Sequence, residues 1–236
     1  MNFVNASGHC VPVEIRRRKG TRRLRLSLGQ QNQVVASVPW HVSQRAVVQF
    51  IEQHRTWLDA QLAQLPALCS LSSWFQRHPR ISASGDVFAL RIEDRECRQP
   101  NYCFEQQGAV LVLRLPVIHE TAIRQLIRRF AKDALTCRVA YHAKRLGLNY
   151  TTLSVRDQAS RWGSCSARRG ISLNWRLILL TPSLQDYVIL HELAHLSEMN
   201  HGPNFWALLD LYDPQRVRHE AELDACAAEL MRVARA

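Results

Sequence analysis

No two cysteines in this 236-residue sequence stand two residues apart. Cys10, Cys69, Cys97, Cys103, Cys137, Cys165 and Cys226 are odd in number and widely scattered. That excludes a zinc ribbon and a dithiol redox couple, and leaves reduced, mostly buried thiols as the expectation. Also missing are the apolar stretch of roughly 7–15 residues that a secretory signal needs and any run near the ~18 residues of a spanning helix. The longest apolar stretch, ISLNWRLILL, is interrupted by Asn174 and Arg176. A cytoplasmic protein with no membrane partner is expected. The nine glycines form no P-loop or other phosphate cradle. Neither an internal repeat nor a low-complexity tract is visible.

Enough is present for a core: 47% of the residues are apolar, which suits one large domain or two modest ones. Basic residues outnumber acidic ones by 31 to 20, a net charge of +11. Such a balance attracts nucleic acid, nucleotides or other acidic partners, although a dispersed basic surface does no more than solvate. One cluster stands out. In EIRRRKGTRRLRLSL seven basic residues fall between Arg16 and Arg25, and from Arg22 onward they alternate with Leu24, Leu26 and Leu28. Alternation is the mark of a strand, so this comb of arginines is expected on the water side of a sheet, as a surface for weak nucleic-acid association.

GQQNQ reads as a hairpin loop into a second strand, VVASVP. Ser43 then caps a helix reaching about Leu65, with Val47, Phe50, Ile51, His54, Trp57, Leu58 and Leu62 facing the core. The Ser- and Pro-rich segment LPALCSLSSWFQRHPRISASGD is a connection or subdomain boundary. DVFALRIED, NYCFE and AVLVLRLP read as strands. A helix from Glu120 to Leu146 sets Ile123, Leu126, Ile127, Phe130, Ala134, Cys137 and Tyr141 on one stripe, with Gly147 ending it. A strand near LSVRD, a turn at RWGSCSARRG and a strand through ISLNWRLILL follow. Ser183 is the expected cap of the next helix, and helices around NFWALLDLY and from Pro214 onward complete the chain. The division is into a strand-rich region 1–116 with one long helix and a domain 117–236, an α+β organisation.

The helix capped by Ser183 carries VILHELAHLSEMNHGPNFW. Residues four apart on a helix present their side chains to one point, so His191 and His195 suit two nitrogen ligands at about 2.0–2.1 Å from one Zn²⁺. Glu192, next to the first, can act as general base without ligating. A catalytic site needs a third ligand and an open position. His201 is six residues past His195 and would point away on a continuous helix. Asn200, which tolerates left-handed backbone, and the turn at Gly202 and Pro203 would break the helix and bring it back. Glu220, with Asp224 four residues on, is the rival third ligand, in the manner of a glutamate helix with its orienting carboxylate. HETA at His119 and HEAE at His219 lack the second histidine.

The spacing matches the metzincins' H-E-x-x-H-x-x-G-x-x-H, but their glycine is here Glu198, and Met231 in the terminal helix makes no Met-turn. RWGSCS, GISLNWRLILL, DYVILHELAHL and NHGPNFW together resemble the YgjP-like metallopeptidase family, relatives of the SprT-like zinc proteases. The resemblance is specific from about Ala122 to Asp213, and RRLRLSL, VVASVP and RTWLDAQL extend it more loosely. It implies a compact zincin-like metallopeptidase domain with an HExxH active-site helix, Zn²⁺ on His191, His195 and His201, and Glu192 as base. It favours His201 over Glu220.

The same resemblance places RWGSCS and LNW beside the site, hence Arg161, Trp162, Gly163, Ser164, Cys165 and Asn174 in a possible substrate cleft. By their residue types alone, Gly163 permits a tight turn, Trp162 and Trp175 pack, and Cys165 is a buried thiol. Tyr187, Tyr212 and Arg161 are unranked candidates for assisting the oxyanion. The expected function is a zinc-dependent peptidase acting on peptide or protein. The alternatives are a metal-dependent nucleoside triphosphate pyrophosphatase, with a nucleotide substrate, and a DNA-associated SprT-like protease, for which the cysteine-rich zinc ribbon is missing.

Overall fold

The computed structural model describes residues 1–29 and 31–235; of the expected hairpin loop, Gln30 lies outside the described residues. Two compact units form, one from Met1–Leu68 and one from Cys69–Ala234. The division falls within the Ser- and Pro-rich segment, not at residue 116 where the change in pattern set it. The reason is packing: Leu111, Leu113 and Leu115 from the later strands are buried in one core with Ile123, Ile127 and Phe130 of the long helix.

In the first unit β1 (Asn2–Val4), β2 (Cys10–Arg18), β3 (Arg25–Leu28) and β4 (Val34–Pro39) form a sheet in the order β1-β2-β4-β3. The β2/β4 pair is parallel and the other two are antiparallel. Alternation sends Val34, Ala36 and Val38 into a core with Phe3, and the helices add Val47, Ile51 and Leu58. Ser43 caps α1 (Gln44–Gln53) as expected, its hydroxyl accepting from Ala46 N at 3.2 Å. The helix does not run on to Leu65. At His54 (φ −107°, ψ 17°) it breaks, and α2 (Arg55–Gln64) starts afresh. The imidazole Nδ1 of His54 lies 2.9 Å from the Phe50 carbonyl, taking the acceptor that the residue's own N–H would use, and that N–H turns to Ile51 O. The break shifts the phase, so Leu58 is buried and Trp57 is exposed.

In the second unit β5 (Arg80–Ala83), β6 (Asp86–Asp94), β7 (Asn101–Glu105) and β8 (Val110–Leu115) have the order β5-β6-β8-β7. This is the plan of the first sheet again: outer pairs antiparallel, central pair parallel, then a helix. Val13 pairs with Val34 in one and Ala89 with Val110 in the other, both displaced by 76 residues. The cap of α4 (Glu120–Leu146) is His119, 76 residues after Ser43, and its Nδ1 accepts from Ala122 N. An internal structural repeat is therefore present where none was expected. The HETA histidine is a helix cap. A short helix not foreseen, α3 (Leu71–Arg77), precedes the sheet, and the Glu120 carboxylate accepts from its Leu71 and Ser72 N–H groups.

α4 ends on left-handed Gly147 (φ 66°), as the glycine there demands. Its buried stripe continues through Ala131, Leu135, Val139 and Ala143, while Cys137 and Tyr141 are exposed: at 3.6 residues per turn the more apolar Leu135 and Val139 hold the inner face. Each such Leu, Ile or Phe contributes about 1.5–3 kcal/mol on burial. No cysteine reaches full burial; Cys10 and Cys137 are exposed and the other five are intermediate.

A three-stranded sheet follows, β9 (Thr152–Arg156), β10 (Gly163–Cys165) and β11 (Gly170–Asn174), in the order β10-β11-β9 with β10 at the edge. The segment read as a turn thus carries a strand. The strand read through ISLNWRLILL stops at Asn174, whose side chain accepts from Arg176 N and starts a tight 3-10 stretch, Trp175–Leu179. Arg176 is fully buried, bonding to Val233 O and Asp157. The motif helix α5 (Pro182–Ala194) is capped by Thr181, with no side-chain bond, rather than by Ser183, because Pro182 takes the first helical position. α6 (Pro203–Tyr212) and α7 (Arg216–Leu230) complete the unit. Among the described residues, no helix is long and apolar enough to cross a membrane.

Candidate metal centre

His191 and Glu192 lie in the last turn of α5, and His195 is its C-cap, still in right-handed helical conformation (φ −63°, ψ −16°). The two rings therefore keep the one-turn spacing although the helix itself ends at Ala194. Beyond it the Glu198 N–H bonds to Ala194 O and the Gly202 N–H to Asn200 O, at 3.0 and 2.7 Å. Neither Asn200 nor Gly202 adopts positive φ, so the return is made by these turns and by Gly202 capping α6, without the left-handed residue that the sequence suggested.

The turn brings His201 to the first two rings. Ring centroids are 5.0 Å apart for His191 and His195, 4.7 Å for His195 and His201, and 5.1 Å for His191 and His201. One nitrogen from each lies within 4.8 Å of the others. The Nε2 atoms of His191 and His201 are 3.1 Å apart. Tetrahedral ligands with Zn–N bonds of about 2.0–2.1 Å stand roughly 3.3 Å from one another, so His191 and His201 are already at ligand spacing and the set of three, within 4.8 Å, fits such an ion once the rings close in.

Second contacts fix the rings. His195 Nδ1 lies 3.0 Å from the Glu198 carbonyl, which makes Nδ1 the protonated nitrogen and leaves Nε2 as the donor atom. Phe205, fully buried, stacks on His195 at 4.5 Å, and Trp206 stacks on His201 at 5.5 Å. Burial, with His195 and His201 alongside, drives the His191 pKa down to about 4, and burial lowers that of His195 as well. Both stay neutral at pH 7, the form in which imidazole ligates.

Glu192 is 5% exposed, and its Oε2 is buried with no hydrogen-bond partner. Burial pushes its pKa up to about 8, against the opposing pull of the Arg161 charge. Its carboxylate packs over β10: a Cβ at Gly163 would fall 2.5 Å from Oε1 and 2.6 Å from Cγ. Gly163 is thus required for close approach of strand and carboxylate rather than for a tight turn.

A cleft of about 310 Å³ is lined by Arg161, Gly163, Ser164 and Cys165 together with the three histidines, Glu192 and Met199. Four expected cleft residues lie outside this lining. Trp162 packs against the core. Asn174 is fully buried and donates to the Gln158 and Arg161 carbonyls, holding the segment before β10. Tyr187 is buried, its ring 6.2 Å from that of His191 and 6.3 Å from that of His219. Tyr212 is half-buried against the core. Glu220 is not among the converging ligand atoms; Arg216 holds its carboxylate at 3.2 Å, while His219 pairs with Asp213 at 2.6 Å. Sequence reasoning missed Met199, Phe205 and Trp206. The last two could have been found: on a helix opened by Pro203 they fall within one turn of His201.

The chain is similar over 39% of its length, and over 95% of the other's, to the crystal structure of the metallopeptidase zymogen abylysin from Pyrococcus abyssi, with 18% identity and a TM-score of 0.35. A likeness this slight bears no functional weight. No curated protein matches. The family profile described as YgjP-like, metallopeptidase domain, matches residues 22–226, which takes in parts of both units, the three converging imidazoles and the buried carboxylate beside them. On that match the chain belongs to the YgjP-like metallopeptidase family.

Proposed function

We propose that the protein is a zinc-dependent peptidase in which His191, His195 and His201 hold the ion and Glu192 is the general base. The observation that carries this reading is the convergence of three imidazole nitrogens beside a buried carboxylate oxygen that has no partner of its own. A zinc ion held there supplies Lewis acidity, making a water nucleophilic near neutral pH and polarising the carbonyl under attack. Glu192, kept ionised against the effect of burial by the cation that the three imidazoles hold, takes the proton of the attacking water on Oε2 and returns it to the departing amine. His195 is kept in its ligating tautomer by the Glu198 carbonyl. The outer side of β10, an edge strand lining the cleft, offers backbone donors and acceptors to an extended chain, which favours a peptide substrate. Arg161 is the cation at the cleft and the group best placed to neutralise developing negative charge.

Cleavage of an unfolded protein and phosphate release from nucleoside triphosphates, measured side by side on wild type and Glu192→Gln with zinc content determined for both, test the reading. The expected result is proteolysis reduced about 10²–10⁴-fold with zinc retained, and no nucleotide hydrolysis in either. Phosphate or pyrophosphate release that needs Glu192, with no proteolysis, would replace the peptidase by a phosphoanhydride hydrolase.

A further inference from the structure

The two four-stranded sheets share one plan but not one charge distribution. In the second, the face turned away from the core carries Arg91, Glu93, Glu105 and Arg114. Each arginine there meets both acids: Arg91 reaches Glu93 at 2.8 Å and also Glu105, and Arg114 reaches Glu105 and, at 3.7 Å, Glu93. In the first, register puts Arg16 and Arg25 beside Ser37 on the face opposite Ala36 and Val38, with Arg18 two residues beyond Arg16 on the same face. Glu14 is the acid there, and Arg16 claims both its oxygens at 2.7 and 2.9 Å. Arg17 turns elsewhere, donating to the Trp40 and Val42 carbonyls.

What remains is a concavity of about 490 Å³ lined by Arg18, Gly20, Thr21, Arg22, Arg23, Arg25 and Ser37. All four arginines are exposed, and none has an acidic partner among the described residues. Gly20 (φ 89°) makes the turn that folds the loop arginines back over the sheet. Over Met1–Leu68, nine basic side chains face three acidic ones.

We infer that this arginine-lined hollow of the first sheet is a binding site for the phosphodiester backbone of nucleic acid, independent of sequence. Guanidinium forks present paired donors that match phosphate oxygens, and six of the seven basic residues between Arg16 and Arg25 are arginine rather than lysine. The backbones of Arg18 and Arg25 flank the central strand, displaced by two residues in register and so roughly 12 Å apart, which leaves room for a phosphate between their side chains. At the same end of the sheet, Trp40 follows Pro39, the partner of Arg18, and the residue is 67% exposed. An exposed indole beside unpaired arginines is a stacking platform for an unpaired base, which favours single strands. The site is independent of the proposed zinc chemistry, since none of its residues lines the metal cleft.

The test uses the full chain and a short fluorescein-labelled single-stranded oligonucleotide of mixed sequence, with anisotropy followed across a salt series. The triple variant Arg18→Gln, Arg22→Gln, Arg25→Gln should bind at least tenfold more weakly and lower the slope of log K against log salt by about 2, three contacts at roughly 0.7 each. Trp40→Ala should weaken binding about tenfold. A control with the same loss of charge, Arg128→Gln, Lys132→Gln, Lys144→Gln on α4, should bind as wild type, and proteolysis should be unchanged in all three. Equal weakening by both triples would reduce the effect to net charge and overturn the proposal. So would binding of phosphatidylserine vesicles or polyglutamate as tight as that of the oligonucleotide and lost in the same Arg18 triple. An unchanged salt slope in that triple would overturn it directly.

Discussion

A methyl group added at residue 163 would stand 2.5 Å from Oε1 of Glu192, closer than real contacts allow, so the carboxylate or the strand beneath it must move. Gly163→Ala should therefore lower kcat by about 10²-fold, the usual cost of a misplacement of roughly 1 Å, while zinc content stays at wild-type level. Loss of zinc instead would mean that the strand had collapsed onto the histidines. At this scale the sequence was informative where spacing alone decides geometry: His191 and His195 meet because they are one turn apart, and a break before Gly202 was needed to return His201. It was uninformative where a neighbour from a distant part of the chain decides the outcome. The glycine of RWGSCS earns its place through Glu192, 29 residues further on. Asn174 looked like a cleft residue but is consumed inside the protein, where two carbonyls and the N–H of Arg176 satisfy it.

Among elements, α4 and α5 are tied by Asp186, which accepts from Arg138 Nε at 2.6 Å and has His142 Nε2 at 3.0 Å, the latter outside hydrogen-bond alignment. Burial raises the Asp186 pKa, but His142 and Arg138 outweigh it and the net shift is downward. The carboxylate's contribution is therefore complete above the unfolded-chain pKa of about 3.9 and is lost as pH falls through the lower folded value. The groups facing it are Arg138 and His142 from α4, with Asp86 of β6 and Tyr141 acting on Arg138. Asp186→Asn should cost about 2 kcal/mol in urea unfolding at pH 7, and the gap from wild type should narrow below pH 4. A gap of the same size at pH 3 would show that shape, not charge, makes the link. Element types were mostly legible from period and caps: Ser43 and Gly147 do as their residue types require. The failures have local causes. His54 takes a backbone acceptor and splits a helix, Asn174 halts a strand by capping the next turn, and β10 is too short for any alternation to show.

At the scale of the molecule, the fold's doubling left almost no trace in the sequence. The two sheets need only apolar residues at alternate positions and a cap before the helix. Val47 and Ile123, or Ser43 and His119, fill equivalent places with different residues. The boundary between units was misplaced for a related reason: strands of both copies read alike, so pattern alone assigned the second sheet to the first unit. Metal occupancy should bear on the Cys69–Ala234 unit, which holds all three histidines. Adding Zn²⁺ to chelator-stripped protein should raise its unfolding midpoint, with a gain in unfolding free energy of about 2.7 kcal/mol when the free ion is 100 times its Kd. His201→Ala should abolish most of that gain and Glu192→Gln should retain it; full retention in His201→Ala would remove His201 from the ligand set.

The second unit also closes on itself. Ala234 donates its N–H to the Cys69 carbonyl at 2.7 Å, Val233 bridges to Cys69, and the Arg176 guanidinium grips the Val233 carbonyl from inside. A body whose entry and exit lie side by side makes few demands on what flanks it. It can be spliced into a surface loop of a host protein, or cut at a turn and rejoined through Cys69 and Ala234, with its interior undisturbed.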